Sequence, residues 1–180
     1  MLVRIVRALH SMVGDVLVAA DDALAGDVRA QLAGSPVQVI EAGESPSTAD
    51  CLASAARHLR SHAVTHAVVA DHRYPVLPAA LVARIIEALA DGAELVVPVL
   101  PVTDTVKMVD GQGTIQSTVD RAELKVIQYP YGATVARLGD GRTAPDGSAG
   151  LVTVTGDADA VPVDLPADAA LLAAIIACRR

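Results

Sequence analysis

Apolar and polar positions alternate between two periods along the chain. Leu2, Ile5, Val6 and Leu9 fall on one face at helical spacing, with Arg4, Arg7 and His10 largely off it, which predicts a helix over Leu2–Met12. Asp15–Ala20 is a short unbroken apolar run, the signature of a strand buried on both faces. Asp21 and Asp22 then offer caps for a helix reaching about Ala33, and Gly34-Ser35-Pro36 stops it. Val37–Ile40 reads as a strand, and Ser47 or Thr48 can cap a helix from Ala49 to about Ser61. Thr65–Ala70 is a strand ending at Asp71. Pro75–Pro78 makes a rigid turn, Ala79–Ala90 a helix stopped by Asp91-Gly92, and Glu94–Leu100 a strand closed by Pro101. This alternation predicts one α/β domain over residues 1–180: a Rossmann-like, mostly parallel sheet with helices on both faces.

The texture changes after Pro101. Thr105–Val109 and Thr114–Val119 are β-like runs around Asp110-Gly111-Gln112-Gly113, a hairpin signal. The pair is too polar for a core, so it predicts an arm projecting from the domain over about residues 103–122. Lys125–Gln128 and Leu151–Thr155 read as strands. Gly139–Gly150 has the composition of a mobile loop. Pro166-Ala167-Asp168 opens a last helix, with Arg179 and Arg180 favourable at its negative end.

Composition narrows the function. Of 180 residues, 52% are hydrophobic and 19% charged, which excludes a disordered chain. No apolar run reaches the ~20 residues of a membrane span, and the arginine-broken start has no signal-peptide core. A net charge of −7, with no Trp, no Phe and three Tyr, argues against a nucleic-acid module. Cys51 and Cys178 make neither a disulfide framework nor a zinc site, and the cytoplasm is the expected compartment.

Neither a glycine-rich dinucleotide fingerprint nor a Walker loop is present, and Gly139-Asp140-Gly141-Arg142 reads as a turn. His58, His62 and His66 are spaced by four. They fit a metal face less well than the cationic end of a helix. Asp71 ends a predicted central strand, at the carboxyl edge where ligands of open α/β sheets sit. It could hold a divalent cation or a sugar hydroxyl, or simply cap the loop before Pro75. Thr103, Asp104, Thr105 and Lys107 gather hydroxyls, a carboxylate and an ammonium after the next strand. That set suits a phosphorylated polyol, or else makes local bonds at a hairpin base. Arg121 can fork onto a phosphate or pair with Asp120 or Glu123.

Val96-Val97-Pro98-Val99-Leu100-Pro101-Val102-Thr103-Asp104-Thr105-Val106-Lys107, then Thr118–Leu124 and Gln128-Tyr129-Pro130-Tyr131-Gly132, resemble the 2-C-methyl-D-erythritol 4-phosphate cytidylyltransferase family of the non-mevalonate isoprenoid pathway. The likeness is specific over about Glu94–Gly132 and collinear elsewhere. It implies a homodimer whose hairpin arm hooks the neighbouring subunit. It also implies transfer of CMP from CTP, with magnesium, to the 4-phosphate of methylerythritol phosphate. By the same resemblance Asp71, also the expected metal ligand, holds substrate, Thr105 contacts its phosphate, and Arg121 reaches into the neighbour's site. Arg73 stands beside Tyr74, which occupies the position of a family Arg.

The resemblance also marks departures. The family's opening strand and basic Gly-rich loop have no counterpart in the sequence, and its cytidine contacts are replaced around Pro46–Asp50. A catalytic Lys near its C-terminus is replaced within Ala160-Val161-Pro162, at Pro162. Nucleotidyl transfer depends on positioning and charge stabilisation, and losing one donor costs about 10²–10³ in rate. The expectation is therefore a catalytically impaired homologue, without catalytic residues of its own, acting as a dimer that binds a polyol phosphate, a nucleotide or a partner. The alternatives are an active nucleotidyltransferase whose loop comes from a longer true start or another chain, and a heterodimer partner of an active paralogue. With the opening strand gone, Asp15–Ala20 and Thr65–Ala70 are expected to pair directly.

Overall fold

The computed structural model describes residues 1–140, 150–164 and 166–178. The expected Gly139–Gly150 loop therefore lies almost wholly outside the described residues, as do Arg179 and Arg180. The chain begins with α1 (Leu2–Val13), which buries Ile5, Val6 and Leu9 and ends at Gly14 with φ 84°. A short link leads to β1 (Val16–Ala20). The Asp21 carboxylate then accepts from the Ala23 N–H to start α2 (Asp22–Gln31). Next come β2 (Val37–Glu41) and α3 (Thr48–Ser61), the latter opened by a reciprocal capping box between Ser47 and Asp50.

The second half holds β3 (His66–Val69), α4 (Ala79–Ala90) and β4 (Leu95–Pro101). The hairpin β5 (Val106–Val109) and β6 (Ile115–Val119) follows. After a 3₁₀ turn come β7 (Lys125–Ile127), β8 (Tyr131–Thr134), α5 (Val135–Gly139), β9 (Leu151–Thr155) and α6 (Ala169–Ala177). The α/β class is as expected; β8 and α5 are additions that the sequence pattern did not mark.

Among the described residues the strands form three sheets. β1 and β2 pair in parallel, with Val16 opposite Val37 and Ala20 opposite Glu41. The five-stranded sheet runs β3-β8-β4-β7, with β9 on β4. β4 and β9 are parallel, whereas β8 runs antiparallel to both β3 and β4, and β7 antiparallel to β4. The parallel character expected of the sheet is thus confined to β1/β2 and β4/β9. β8 slots between β3 and β4 in the opposite sense, which the α-β alternation gave no reason to foresee.

Pro98 explains how β4 serves two partners along one edge. Proline offers no N–H to a ladder. It falls where β4 leaves β8, paired at Leu95 and Val96, and takes up β7, paired from Val99 to Pro101. The Pro98 carbonyl instead accepts the Gln128 N–H at 2.9 Å.

Direct pairing of the first and third strands does not occur. Among the described residues β1 pairs with β2 alone and β3 with β8 alone. The two sheets are joined by side chains. Val16 and Val18 of β1 share a core with Ile5, Val6 and Leu9 of α1, and Val68 and Ala70 pack against that same group. A second core joins Leu52 and Ala56 of α3 to Leu95, Val97, Tyr131, Ala133 and Val135. Helices bury the apolar faces of both sheets, so packing is satisfied without a continuous backbone ladder.

The β5–β6 arm projects as expected. Met108, Val109 and Ile115 are 54–62% exposed. Asp110 holds its tip by accepting from the N–H groups of Gln112 and Thr114 and from Gln116 Nε2. These bonds, led by the one from the Thr114 backbone, keep the Asp110 carboxyl below its usual range.

Close packing of α4 on β8 depends on Gly132. A Cβ there would stand 2.5 Å from Ile85 Cγ2 and 2.8 Å from Leu89 Cδ1. Gly132→Ala is expected to lower unfolding stability by about 1–3 kcal/mol through overpacking, measured by urea titration. Gly26→Ala in α2, where a Cβ meets nothing within 4 Å, is expected to gain about 0.5–1 kcal/mol in the same assay.

Candidate functional site

β3 and β4 both run antiparallel to β8, and β9 runs parallel to β4. The ends of β3, β4 and β9 and the start of β8 therefore meet at one edge of the sheet. That edge collects Asp71 and Arg73, Thr103 to Lys107, Gly156-Asp157 and Tyr129 to Tyr131. Register places the arm base further out than Asp71. Val68 and Val96 both face Gly132, Asp71 is three residues past Val68, and Thr103 is seven past Val96.

Asp71 and Arg73 form the tightest polar pair at this edge. The Asp71 carboxylate accepts from the Arg73 backbone N–H at 2.8 Å, from Nε at 3.1 Å to each oxygen, and from Nη2 at 2.6 Å. His72 Nδ1 stands 3.5 Å from Oδ1. The Asp71 side chain is only 16% exposed, against 61% for Arg73. Burial pushes the Asp71 carboxyl upward, but the bonds from Arg73 and the charges of Arg73 and His72 outweigh it, leaving it below its usual range. The bond to Asp71, reinforced by its charge, raises Arg73 in turn.

Three further contacts bind the C-terminal segment to this edge. The Val163 N–H donates to the Arg73 carbonyl at 2.8 Å, bringing Pro162 beside the pair. Gln128, 4% exposed, donates through Nε2 to the carbonyls of Asp157 and Ala160 and accepts the Asp157 N–H on Oε1, all within 2.9 Å. From α4, Arg84 donates to the Thr155 carbonyl at 3.0 Å and to that of Gly156 at 3.3 Å.

The arm residues separate. Arg121 donates through Nη1 to the Thr103 carbonyl, so the two ends of the arm close on each other. Lys107 lies on β5, where Nζ reaches Thr118 Oγ1 across the hairpin at 2.5 Å. Asp104 and Thr105 are exposed between them. Asp71 and Arg73 are thus joined, Thr103 and Arg121 are joined, and Lys107 belongs to the arm.

The histidines do not converge on a metal. His58 and His62 stack at 4.4 Å, and His58 Nε2 bonds Gln38 Oε1 at 2.6 Å. No group of three or more His, Cys, Asp or Glu among the described residues could hold a metal ion. Asp71, expected as a magnesium ligand, has both oxygens bound by Arg73. The residues present at this edge do not by themselves fit a magnesium ion.

One feature of the edge went unmarked in the sequence. Tyr74 and Tyr129 lie 5.2 Å apart between ring centroids, and Tyr129 and Tyr131 meet edge-on at 5.4 Å. The signal was available: the chain has only three Tyr and neither Phe nor Trp, and two of them flank the cis Tyr129–Pro130 peptide in Gln-Tyr-Pro-Tyr. Burial raises the phenols of Tyr74 and Tyr129, and raises that of Tyr131 further.

The family model for 2-C-methyl-D-erythritol 4-phosphate cytidylyltransferase matches residues 1–171. The chain belongs to that family. It is 36% identical over 123 residues to the enzyme of that name from Rhodococcus jostii, spanning 62% of this chain and 54% of the relative. It is 35% identical over 196 residues to the one from Saccharopolyspora erythraea, spanning 98% of this chain and 86% of the relative. Among solved structures, the cytidylyltransferase from Thermus thermophilus superposes with a TM-score of 0.68 at 27% identity, covering 96% of this chain and 86% of that one. The family resemblance first seen around the arm therefore extends over nearly the whole chain.

Two outcomes follow from this geometry. Gln128→Leu removes the partner of the buried Ala160 carbonyl and of the part-buried Asp157 N–H and carbonyl. It is expected to cost about 1–3 kcal/mol for each group left unsatisfied, with amides of residues 156–160 exchanging faster with deuterium. For the ion pair, the lowered Asp71 carboxyl contributes stability that is complete above its ordinary value of 3.8 and is lost as pH falls through its folded-state value. The stability gap between the wild type and Asp71→Asn is expected to stay constant from about pH 7 to pH 5 and to shrink as the medium is acidified below 3.8, as measured by urea unfolding at each pH.

Proposed function

We propose that this family member is a binding protein whose own sheet edge is impaired for nucleotidyl transfer, and that it takes up a nucleotide or a polyol phosphate there as a dimer. One observation carries this reading: four cations of the edge are already engaged with intramolecular partners. Arg73 forks onto Asp71, Arg121 caps the Thr103 carbonyl, Arg84 holds Thr155 and Gly156, and Lys107 bonds Thr118. Displacing a pyrophosphate from CTP requires several donors aimed at the charge that builds on the phosphates. A triphosphate arriving here would first have to break these bonds. Pro162, beside Arg73, has neither a charge nor an N–H to add.

Asp71, Arg73, Thr103, Asp104, Thr105, Lys107 and Arg121 are the proposed ligand contacts. The dimer would form through the β5–β6 arm, whose strands, among the described residues, pair only with each other and whose Met108, Val109 and Ile115 are open. A second copy is the proposed cover, and an active paralogue would suit the same surface. No helix among the described residues is long and apolar enough to cross a membrane, and cytoplasmic residence is part of the proposal.

A second reading is favoured by the likeness that spans 98% of this chain and 86% of the Saccharopolyspora relative. In it the chain transfers CMP from CTP to methylerythritol phosphate, with magnesium and with further cationic residues supplied by another chain or by additional sequence.

Thermal shift with CTP, CMP and methylerythritol phosphate, with and without magnesium, separates the readings when combined with a turnover assay. Ligand at about 100 times its Kd stabilises a binder by about 2.7 kcal/mol. The binding reading expects a shift without release of pyrophosphate. Sustained pyrophosphate release by the purified chain would overturn it in favour of the second, and no shift with any ligand would remove both.

A further inference from the structure

We propose that β1 and β3 frame an open strand slot, and that the slot accepts an extended apolar segment donated by another polypeptide. The inference goes beyond the ligand-binding reading and does not depend on it.

The first support is that the two strands lie side by side without pairing. Val68 of β3 and Ala70 just after it join the core that α1 builds with Val16 and Val18 of β1. Ala67 and Val69 turn the other way, onto the core of Leu52 and Ala56 of α3. That helix also lies against β1. The same two helices therefore cover both strands, one on each face, which sets β1 and β3 in one layer. Yet, among the described residues, β1 pairs only with β2 and β3 only with β8. Each strand keeps one edge unpaired, and alternate residues turn their N–H and C=O groups towards it.

The second support is burial. Val16–Ala20 and Ala67–Ala70 contain no charge, proline or glycine, the composition of strands enclosed on both faces. Leu17 to Ala20 and Ala67 to Ala70 are nevertheless only half-buried. β4, flanked on both edges, buries Leu95 to Pro98. Folded proteins blunt their open sheet edges with charge, proline or bulges. The arm carries Lys107 and a bulge at Met108–Val109, whereas the registers of β1 and β3 run unbroken.

These features define the guest. Unpaired N–H and C=O groups on two facing edges require a peptide backbone, which presents donors and acceptors along both of its own edges. Helices on both faces require apolar side chains in both of the directions that successive residues take. A second copy of the chain is a poor donor, because among the described residues its strand-length apolar runs are already laid in strands and helices. The guest is therefore a Val- and Ile-rich extended segment of a different protein, added by strand pairing.

The test follows backbone amide exchange by NMR while the peptide Lys-Lys-Val-Ile-Val-Val-Val-Lys-Lys is titrated into the purified chain. In the free protein, alternate amides of Val16–Ala20 and His66–Val69 are expected to exchange faster than those of Leu95–Val97. Both sets should slow together, with one Kd, as peptide is added. The same peptide N-methylated at alternate residues should bind about 2- to 10-fold more weakly for each hydrogen bond removed. The protein is unaltered throughout, so no folding defect enters the comparison. Protection of one strand alone, or of the edges of the arm or β9 instead, would overturn the slot, as would absence of binding. Slow exchange of both strands in the free chain would overturn it too, since the chain itself would then close the gap. An N-methylated peptide that binds as well as its parent would overturn strand pairing. None of these outcomes bears on the ligand-binding reading, which thermal shift decides separately.

Discussion

Everything in the second half of the molecule hangs on one strand. β4 carries β9 on one edge and shares the other between β8 and β7. Such sharing needs a break in the hydrogen-bond ladder, and Pro98 supplies it because it has no N–H to leave unpaired. The break turns the β7–β8 corner inward, so Gln128 is buried and can bind the segment after β9. In this way a backbone constraint at the centre of the sheet decides which loops meet at its edge.

The electrostatics of that edge follow from placement. Asp71 stands two residues past β3, which packs into the core, so its carboxylate is mostly buried and needs a cation. The neighbouring Arg73 meets that need through its backbone and its side chain. A buried carboxylate with its own guanidinium is a stable arrangement. It also leaves the guanidinium with less charge to offer a phosphate. The same pairing that steadies the loop thus commits the Arg73 side chain within it.

Much of this was legible in residue patterns. Helix starts were plain where a capping side chain was present, at Asp21 and at Ser47 with Asp50, because caps act over three residues. The arm was legible from its glycines and its polarity. β8 was not, since Tyr131-Gly132-Ala133-Thr134 has small residues where strands usually show branched ones. Its antiparallel pairing with β3 and β4 is a tertiary effect. Pairing of the first and third strands was expected on the assumption that backbone edges must meet. Side chains of α1 and α3 join the sheets instead. For the site, Asp71 with Arg73 could be read from the end of a strand, whereas the Tyr74–Tyr129 contact joins residues 55 positions apart in sequence and no local spacing announces it.

Gly156 carries a consequence for descent. A methyl group there would collide with Gln128 Oε1, so a bulkier residue can enter only where the glutamine side chain has moved or gone. Lineages in which a bulkier residue has entered at this place should also have given up the amide at the β7–β8 corner. A homologue that keeps the glutamine beside a bulkier residue must route its chain differently after β9.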